Sequence, residues 1–435
     1  MYTYNNNYYT ATMQPVTERP ALSGDVQADV CIIGAGLAGL STAWELVSRG
    51  KSVVLLDAGR VAWGASGRNG GFVLQGWSEG VSAIEQRCGK PTAAALFKLS
   101  LEGVDIVRDT IAGQQLPGCA ITSGKMSVVR YEDGDNLQRL RDKMAADFDF
   151  HLEYLDRQAV RAKLKTERYF QGLRDTHGFH FHPLNYCLGL AGLIERGGGR
   201  IHEHSPMVRV DSRDGRHRVF TDQASVDCGN VVYCCGGYGG PEFGKLRRAF
   251  LPIATYAVLT EHLGARLADA VATTDAVGDN RRASDYYRIV DGDRLLWGGR
   301  ITTHNLQDEK RLGQLLTDDI LDVYPQLRGI KIDKAWSGLM GYARHKMPHI
   351  GPLGKGLWTC TSFGGHGMNT APIGGRVIAE AICGETDRYR LFDAYGLQWN
   401  GGPLGPAAAQ TVYAGLKMMD KFQETRSQRR AMHKN

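Results

Sequence analysis

Apolar residues along this chain fall into short continuous runs and helical stripes that alternate from near the start. Residues 30–33 form an apolar run of buried-strand length. Leu37, Leu40, Trp44 and Val47 keep helical spacing across 37–49, and 53–56 form a second apolar run. Strand, helix and strand with short connections predict a parallel βαβ unit. Helical periodicity returns at 92–113, 134–147, 185–197, 307–323 and 372–383, and strand-like runs occur at 230–236, 331–343 and 357–362. Alternation predicts a hairpin of 286–289 with 294–299, turned through Asp291 and Gly292. Between 117 and 130 only Met126 and Val128 against Ser127 suggest a strand, and 59–80 is glycine-rich without a period.

Length and composition narrow this picture modestly. A chain of 435 residues exceeds what one core usually holds, so two interleaved lobes are expected. The 52 basic residues nearly balance 46 acidic ones, leaving a net charge of +6 that argues against a nucleic-acid partner. The basic stretch 426–434 reads as a solvated terminus. Nine cysteines without a C-x-x-C pair fit a reducing compartment. The first residues lack a signal-peptide pattern, and no apolar run reaches the ~18 residues of a membrane span. The expected location is cytoplasmic.

The densest chemical signal is Gly34-Ala35-Gly36-Leu37-Ala38-Gly39, placed after a strand and opening a helix. The first glycine permits a tight turn, the second lets a pyrophosphate approach the backbone, and the third lets helix pack on strand. Amide groups at the helix start then face phosphate, aided by the helix dipole. Asp57, followed by Ala58, closes the second strand, where a carboxylate accepts hydrogen bonds from ribose hydroxyls and disfavours a 2′-phosphate. These residues predict dinucleotide binding without separating FAD from NAD.

Two further loops make the distinction. Arg60 and the run 64–71 (GASGRNGG) follow Asp57, and 364–375 (GGHGMNTAPIGG) opens a late helix. An extended FAD has use for such distant ligand-like loops; an NAD domain has none. Together with 207–210 (MVRV), 231–237 (VVYCCGG) and 295–299 (LLWGG), these segments resemble the FAD-dependent family of D-amino-acid oxidase, glycine oxidase and sarcosine oxidase. The start and the GASGRNGG loop are most similar to its γ-glutamylputrescine oxidoreductase branch.

The resemblance implies an α/β fold: a Rossmann-like FAD-binding domain of the glutathione-reductase type, with an inserted α+β substrate domain built on an antiparallel sheet. The expected FAD domain is 26–85, 177–245 and 340–385; the substrate domain is 86–176 and 246–339. Residues 1–25 are then a lead-in and 386–435 a helical extension. Gly34, Gly36 and Gly39 with Ala35, Leu37 and Ala38 would hold the pyrophosphate, and Asp57 with Ala58 the ribose. Arg60, Ala65, Ser66, Asn69, Gly70 and Gly71 would line the stretch toward the flavin. Val208 would meet adenine through its backbone, and Cys235, Gly236 and Gly237 would pass close to the cofactor. Gly365, His366, Gly367, Met368, Asn369 and Thr370 would contact flavin and ribityl chain. A helix N-terminus there favours the negative charge of reduced flavin. Cys360 falls in a strand rather than the loop, so non-covalent FAD is expected.

The implied reaction is hydride transfer from the carbon bearing nitrogen to flavin N5, giving an imine that hydrolyses. A small amine or amino acid is the substrate, γ-glutamylputrescine-like by the branch resemblance. Tyr286, Tyr287, Arg288, Tyr342 and Arg344 are candidates to place it, an arginine clamping a carboxylate in bidentate fashion, and His366 is a candidate for proton transfer. Relatives carry an oxygen-promoting lysine on the strand matching 295–299, where this chain has none. The acceptor is therefore O₂ or another oxidant, and a dehydrogenase stands beside an oxidase. A binding module or an NAD-binding protein is the reading from another class. His180 and His182 flank Phe181 and could share a strand face, but no metal site is expected from them.

Overall fold

The computed structural model describes residues 3–282 and 285–432, with side chains given to residue 429. By internal contacts the chain divides into two units, 1–120 with 182–253 and 339–402, and 121–181 with 254–338 and 403–435.

The first unit is organised on a sheet whose parallel core runs Leu357–Thr361, Ser225–Tyr233, Val26–Ile33, Val53–Leu56 and Arg200–His202. Val53–Leu56 is wholly buried, which is why it carries four consecutive apolar residues instead of an alternation. Helices Leu37–Ser48, Pro183–Arg196, Val81–Gly113 and Gly367–Cys383 belong to this unit. His349–Gly354 extends the sheet antiparallel on Leu357–Thr361. Arg209–Arg213 and Arg216–Phe220 pair with each other, and the latter joins Ser225–Tyr233.

The second unit is built on a mostly antiparallel sheet, in the order Ile332–Ala343, Phe250–Thr260, Arg294–Thr302, Tyr286–Val290, Ala276–Asp279, Thr122–Val128 and Gly172–His180. One pair departs from the expectation: Ala276–Asp279 runs parallel to Thr122–Val128. The predicted hairpin is present, and Asp291 (φ 52°) and Gly292 (φ 81°) both take the left-handed conformation its tight turn demands. Tyr287 and Trp297 stack at 4.3 Å on one face of this sheet and Tyr324 closes against them, making the unit's aromatic core.

Several boundaries differ from expectation for identifiable reasons. Residues 86–120 fall in the first unit because Val81–Gly113 packs on Gly367–Cys383, where a Cβ on Gly103 would lie 2.5 Å from the Asn369 carbonyl oxygen. That helix starts eleven residues before the periodic stretch and bends at Gly89 and Pro91. The late helix begins at Gly367, not 372, so Pro372 lies inside it. The lead-in is anchored through buried Tyr8 and Tyr9, with Arg19 bonded to Glu195. Residues 386–402 belong to the first unit and 403–435 to the second. His180 and His182 do not share a strand: the strand ends at His180, and His182 caps the next helix by accepting the Asn185 amide on Nδ1. No described helix is long and apolar enough to cross a membrane.

Candidate functional site

The glycine fingerprint sits where the parallel strands of the first unit end. Gly34 has φ 105°, which a side chain resists, and its amide donates to the Leu56 carbonyl at 2.7 Å. A Cβ on Gly36 would lie 2.9 Å from Ser66 Oγ, so the glycine lets the Ser66 side chain come close to the loop. Ser66 Oγ accepts the Leu37 amide at 2.8 Å, tying the 65–67 turn to the helix start. Asp57 is buried at the foot of the loop. Its Oδ2 accepts the Ala35 amide at 2.6 Å, and its Oδ1 accepts Gly59 N–H and Trp63 Nε1–H. Burial holds its carboxyl above the usual range, against the lowering effect of these three donors. A helix start whose glycine N-cap offers no side chain, a close approach at Gly36, and a carboxylate closing the next strand suit a pyrophosphate and a ribose.

Other expected residues have their bonding occupied in ways that limit them. The Arg60 guanidinium lies 3.4 Å from the fully buried Glu203 and stacks on the Tyr4 ring, so its charge is balanced within the fold. Asn69 spends its side chain on its own loop, donating to the Ala65 and Ser66 carbonyls and accepting from Gly71. The Val208 amide donates to Phe220 at 2.8 Å, so a backbone contact to adenine there would have to use the carbonyl. Cys235 Sγ donates to the Ile33 carbonyl, and a Cβ on Gly237 would lie 3.1 Å from Leu339. Cys360 is buried against Gly374, and burial raises its thiol well above the usual range, which disfavours the thiolate that covalent attachment needs.

The second loop is strained. Ser362, Gly364 and Gly365 all take positive φ (65°, 58° and 84°) just before the helix that opens at Gly367. Side-chain atoms of Met340 and Tyr342 lie 3.2 and 3.3 Å from where a Gly365 Cβ would stand. Asn369, almost fully buried, braces the helix start by donating to the Gly76 carbonyl, and its Oδ1 accepts from His366 Nδ1 at 2.9 Å. Gly367, Met368 and Thr370 lie in the first turn of this helix, and His366 stands just before it. Tyr342 is held above the usual tyrosine range by burial, and Arg344 is exposed.

In the second unit the strand alternation separates two faces. Tyr287 points with Trp297 into the aromatic core, fully buried, its hydroxyl 2.7 Å from that of Tyr324. Period two turns Tyr286 and Arg288 to the opposite face. Arg288 donates to the Phe181 carbonyl at 2.9 Å, and its Nη1 lies 3.1 Å from His180 Nδ1. Burial and the arginine push His180 down to about 4, so it stays neutral and accepts. A Cβ on Gly298 would fall 2.1 Å from the Tyr286 ring.

Lys125 is a residue that sequence reading passed over. It pairs with Asp175 across neighbouring strands, lies on the Ser127 side of the sheet, and is pushed down to about 8 by burial. Asp175 is buried, with Oδ2 lacking a hydrogen-bond partner. A lone lysine in an alternating strand between Gly124 and Met126 was the available signal. Among the described residues, no group of three or more His, Cys, Asp or Glu side chains could hold a metal.

Comparison with known proteins agrees with this architecture. The family model described as FAD dependent oxidoreductase matches residues 29–381. The chain is 31% identical to γ-glutamylputrescine oxidoreductase of Escherichia coli over 398 residues, covering 89% of this chain and 91% of that one. It is 31% identical to the probable oxidoreductase OrdL of Haemophilus influenzae over 425 residues, 96% of this chain and 97% of that one. Among solved structures, glycine oxidase from Bacillus cereus superimposes with a TM-score of 0.70 at 20% identity, over 84% of this chain and 98% of that one. Its cofactor is FAD, and the chain belongs to the DAO family of FAD-dependent oxidoreductases.

Proposed function

We propose that this enzyme oxidises the C–N bond of a small amine or amino acid that carries a carboxylate, a γ-glutamylputrescine-like compound being favoured. The observation carrying the reading is the end-to-end similarity to γ-glutamylputrescine oxidoreductase. Arg288 supports the carboxylate, being a buried guanidinium beside a neutral histidine. In this reading Gly34, Gly36 and Gly39 admit the pyrophosphate, Asp57 takes ribose hydroxyls, and the 365–370 turn presents backbone amides to the flavin end. Bound FAD supplies the two-electron acceptance. The chain's own residues orient the substrate, and Asn369 holds the 365–370 turn in place.

A second reading, a dehydrogenase using an acceptor other than oxygen, is favoured by the strand 295–299, which lacks the lysine that promotes oxygen reaction in several oxidases of the family. Both are tested by anaerobic bleaching of the flavin spectrum against γ-glutamylputrescine, putrescine, sarcosine, pipecolate, glycine and D- and L-amino acids, followed by air. Bleaching by γ-glutamylputrescine is the expected result; bleaching only by compounds without a carboxylate overturns the substrate reading. Rapid recovery in air with H₂O₂ excludes the dehydrogenase.

A further inference from the structure

The helix Gly405–Met432 is turned inside out. The residues it turns inward are mostly polar or aromatic: Asp420 and Tyr413 are buried, and Gln410, Leu416 and Glu424 are half-buried, Gln410 accepting the Thr303 amide, Asp420 accepting from Arg282, and Glu424 lying 3.7 Å from Arg130. Its exposed side carries large apolar residues together with Thr411, Lys417, Lys421, Thr425, Arg426 and Arg429. Leu404, Val412, Met418, Met419 and Phe422 are 77%, 63%, 72%, 55% and 68% exposed. At 100° per residue the four on the helix, Val412, Met418, Met419 and Phe422, fall within one third of its circumference, with Ala408, Thr411 and Gly415 between them, and Leu404 stands in the turn just before it. Ordinary surface helices do the opposite, and an apolar stripe of this kind marks an interaction surface.

Charge selects the occupant. The exposed charged residues from 405 to 429 are Lys417, Lys421, Arg426 and Arg429, and Arg426 and Arg429 continue the apolar stripe toward the C-terminus. The segment's two acids, Asp420 and Glu424, are both turned inward to arginines. A second copy packed parallel on this face would set arginine against arginine with no acid to meet them. An apolar stripe flanked by uncompensated basic residues suits instead a surface that is anionic outside and apolar beneath.

We propose that this helix docks the enzyme on an anionic lipid bilayer, with Met418, Met419 and Phe422 entering the headgroup–acyl boundary and Arg426 and Arg429 meeting lipid phosphates. The contact is peripheral and reversible, and it does not depend on which substrate is oxidised.

The test uses the FAD-loaded enzyme in flotation with vesicles of phosphatidylcholine, alone or mixed with phosphatidylglycerol. The enzyme should float with the mixed vesicles and not with phosphatidylcholine alone, and added salt should release it. Arg426→Glu with Arg429→Glu should weaken binding at least about tenfold, each basic residue near such a surface being worth roughly a fivefold change. Met419→Ser with Phe422→Ser should do the same while flavin content and turnover stay at wild-type values. Failure of the wild type to float overturns the proposal. So does a concentration-dependent dimer, lost in the Met419→Ser, Phe422→Ser variant, that accounts for the stripe without lipid.

Discussion

Gly39 and Gly34 approach so closely that a Cβ on Gly39 would stand 1.9 Å from the Gly34 carbonyl oxygen. No rotamer relieves that overlap, since the obstructing atom is backbone. Gly39→Ala should therefore push the Leu37–Ser48 helix away from the loop and cost FAD affinity. A displacement worth about 1.4 kcal/mol already lowers affinity about tenfold. Flavin absorbance per protein after gel filtration measures it, and retention of full flavin would show that the helix start is not what holds the cofactor.

Arg288→Met should raise KM for carboxylate-bearing substrates far more than it lowers kcat, with kcat/KM falling about a hundredfold or more, since a buried charge-assisted pair is worth several kcal/mol. Arg344→Met, at an exposed position, should change kcat/KM less than threefold. Steady-state kinetics on the same substrate separate the two, and equal losses would remove the distinction drawn from burial.

Tyr287→Phe removes a hydroxyl 2.7 Å from that of Tyr324. The expected effect is a loss of about 1–2 kcal/mol in stability from the unpaired partner, with kcat/KM changed less than twofold. Denaturant midpoints and kinetics are the two readings. A large kinetic loss with unchanged stability would restore the tyrosine to the substrate face.

The position of Tyr287 shows where the sequence was legible and where it was not. The fingerprint, Asp57 and the two glycine loops could be read because their chemistry is local: a tight turn needs glycine, and a helix start binds phosphate. The face on which Tyr287 or Arg288 lies depends on the register of Tyr286–Val290 with Arg294–Thr302, a pairing that alternation alone leaves two-fold ambiguous. Lys125 was invisible for a related reason. Its perturbation comes from burial, which outweighs the opposing pull of Asp175 on a neighbouring strand about fifty residues away. Gly367–Cys383 was truncated at Pro372 because proline normally marks a helix start, whereas here the first turn precedes it.

Lys125 gives a pH signature. Its ordinary value of 10.5 falls to about 8 in the folded chain, so between those values the unfolded state binds more protons and stability rises with pH. Lys125→Met should remove that rise. The variant's advantage in Tm over the wild type should be greatest below pH 8 and should shrink toward pH 10.5. A pH-independent difference would mean that the lysine is not desolvated.

His349 acts at the other end of the scale. Burial and the neighbouring His345 push it down to about 3 from 6.5, so it is neutral in the fold and stability should fall as pH drops from 6.5 toward 3. His349→Phe should flatten part of that acid limb, by at most about 1.4 kcal/mol per pH unit. Unchanged acid unfolding would count against a buried neutral ring.

The central strand pairing also fixes the order in which this protein can be made. Val26–Ile33, synthesised early, has one of its two partners in Ser225–Tyr233, and that strand in turn needs Leu357–Thr361. A nascent chain must therefore carry an unsatisfied strand edge from the emergence of Val26–Ile33 until Leu357–Thr361 has left the ribosome, and the cofactor-binding unit cannot close before then. Flavin supply and chaperone cover would thus matter most late in synthesis, and premature termination anywhere before 383 should leave aggregating chains rather than a smaller flavoprotein.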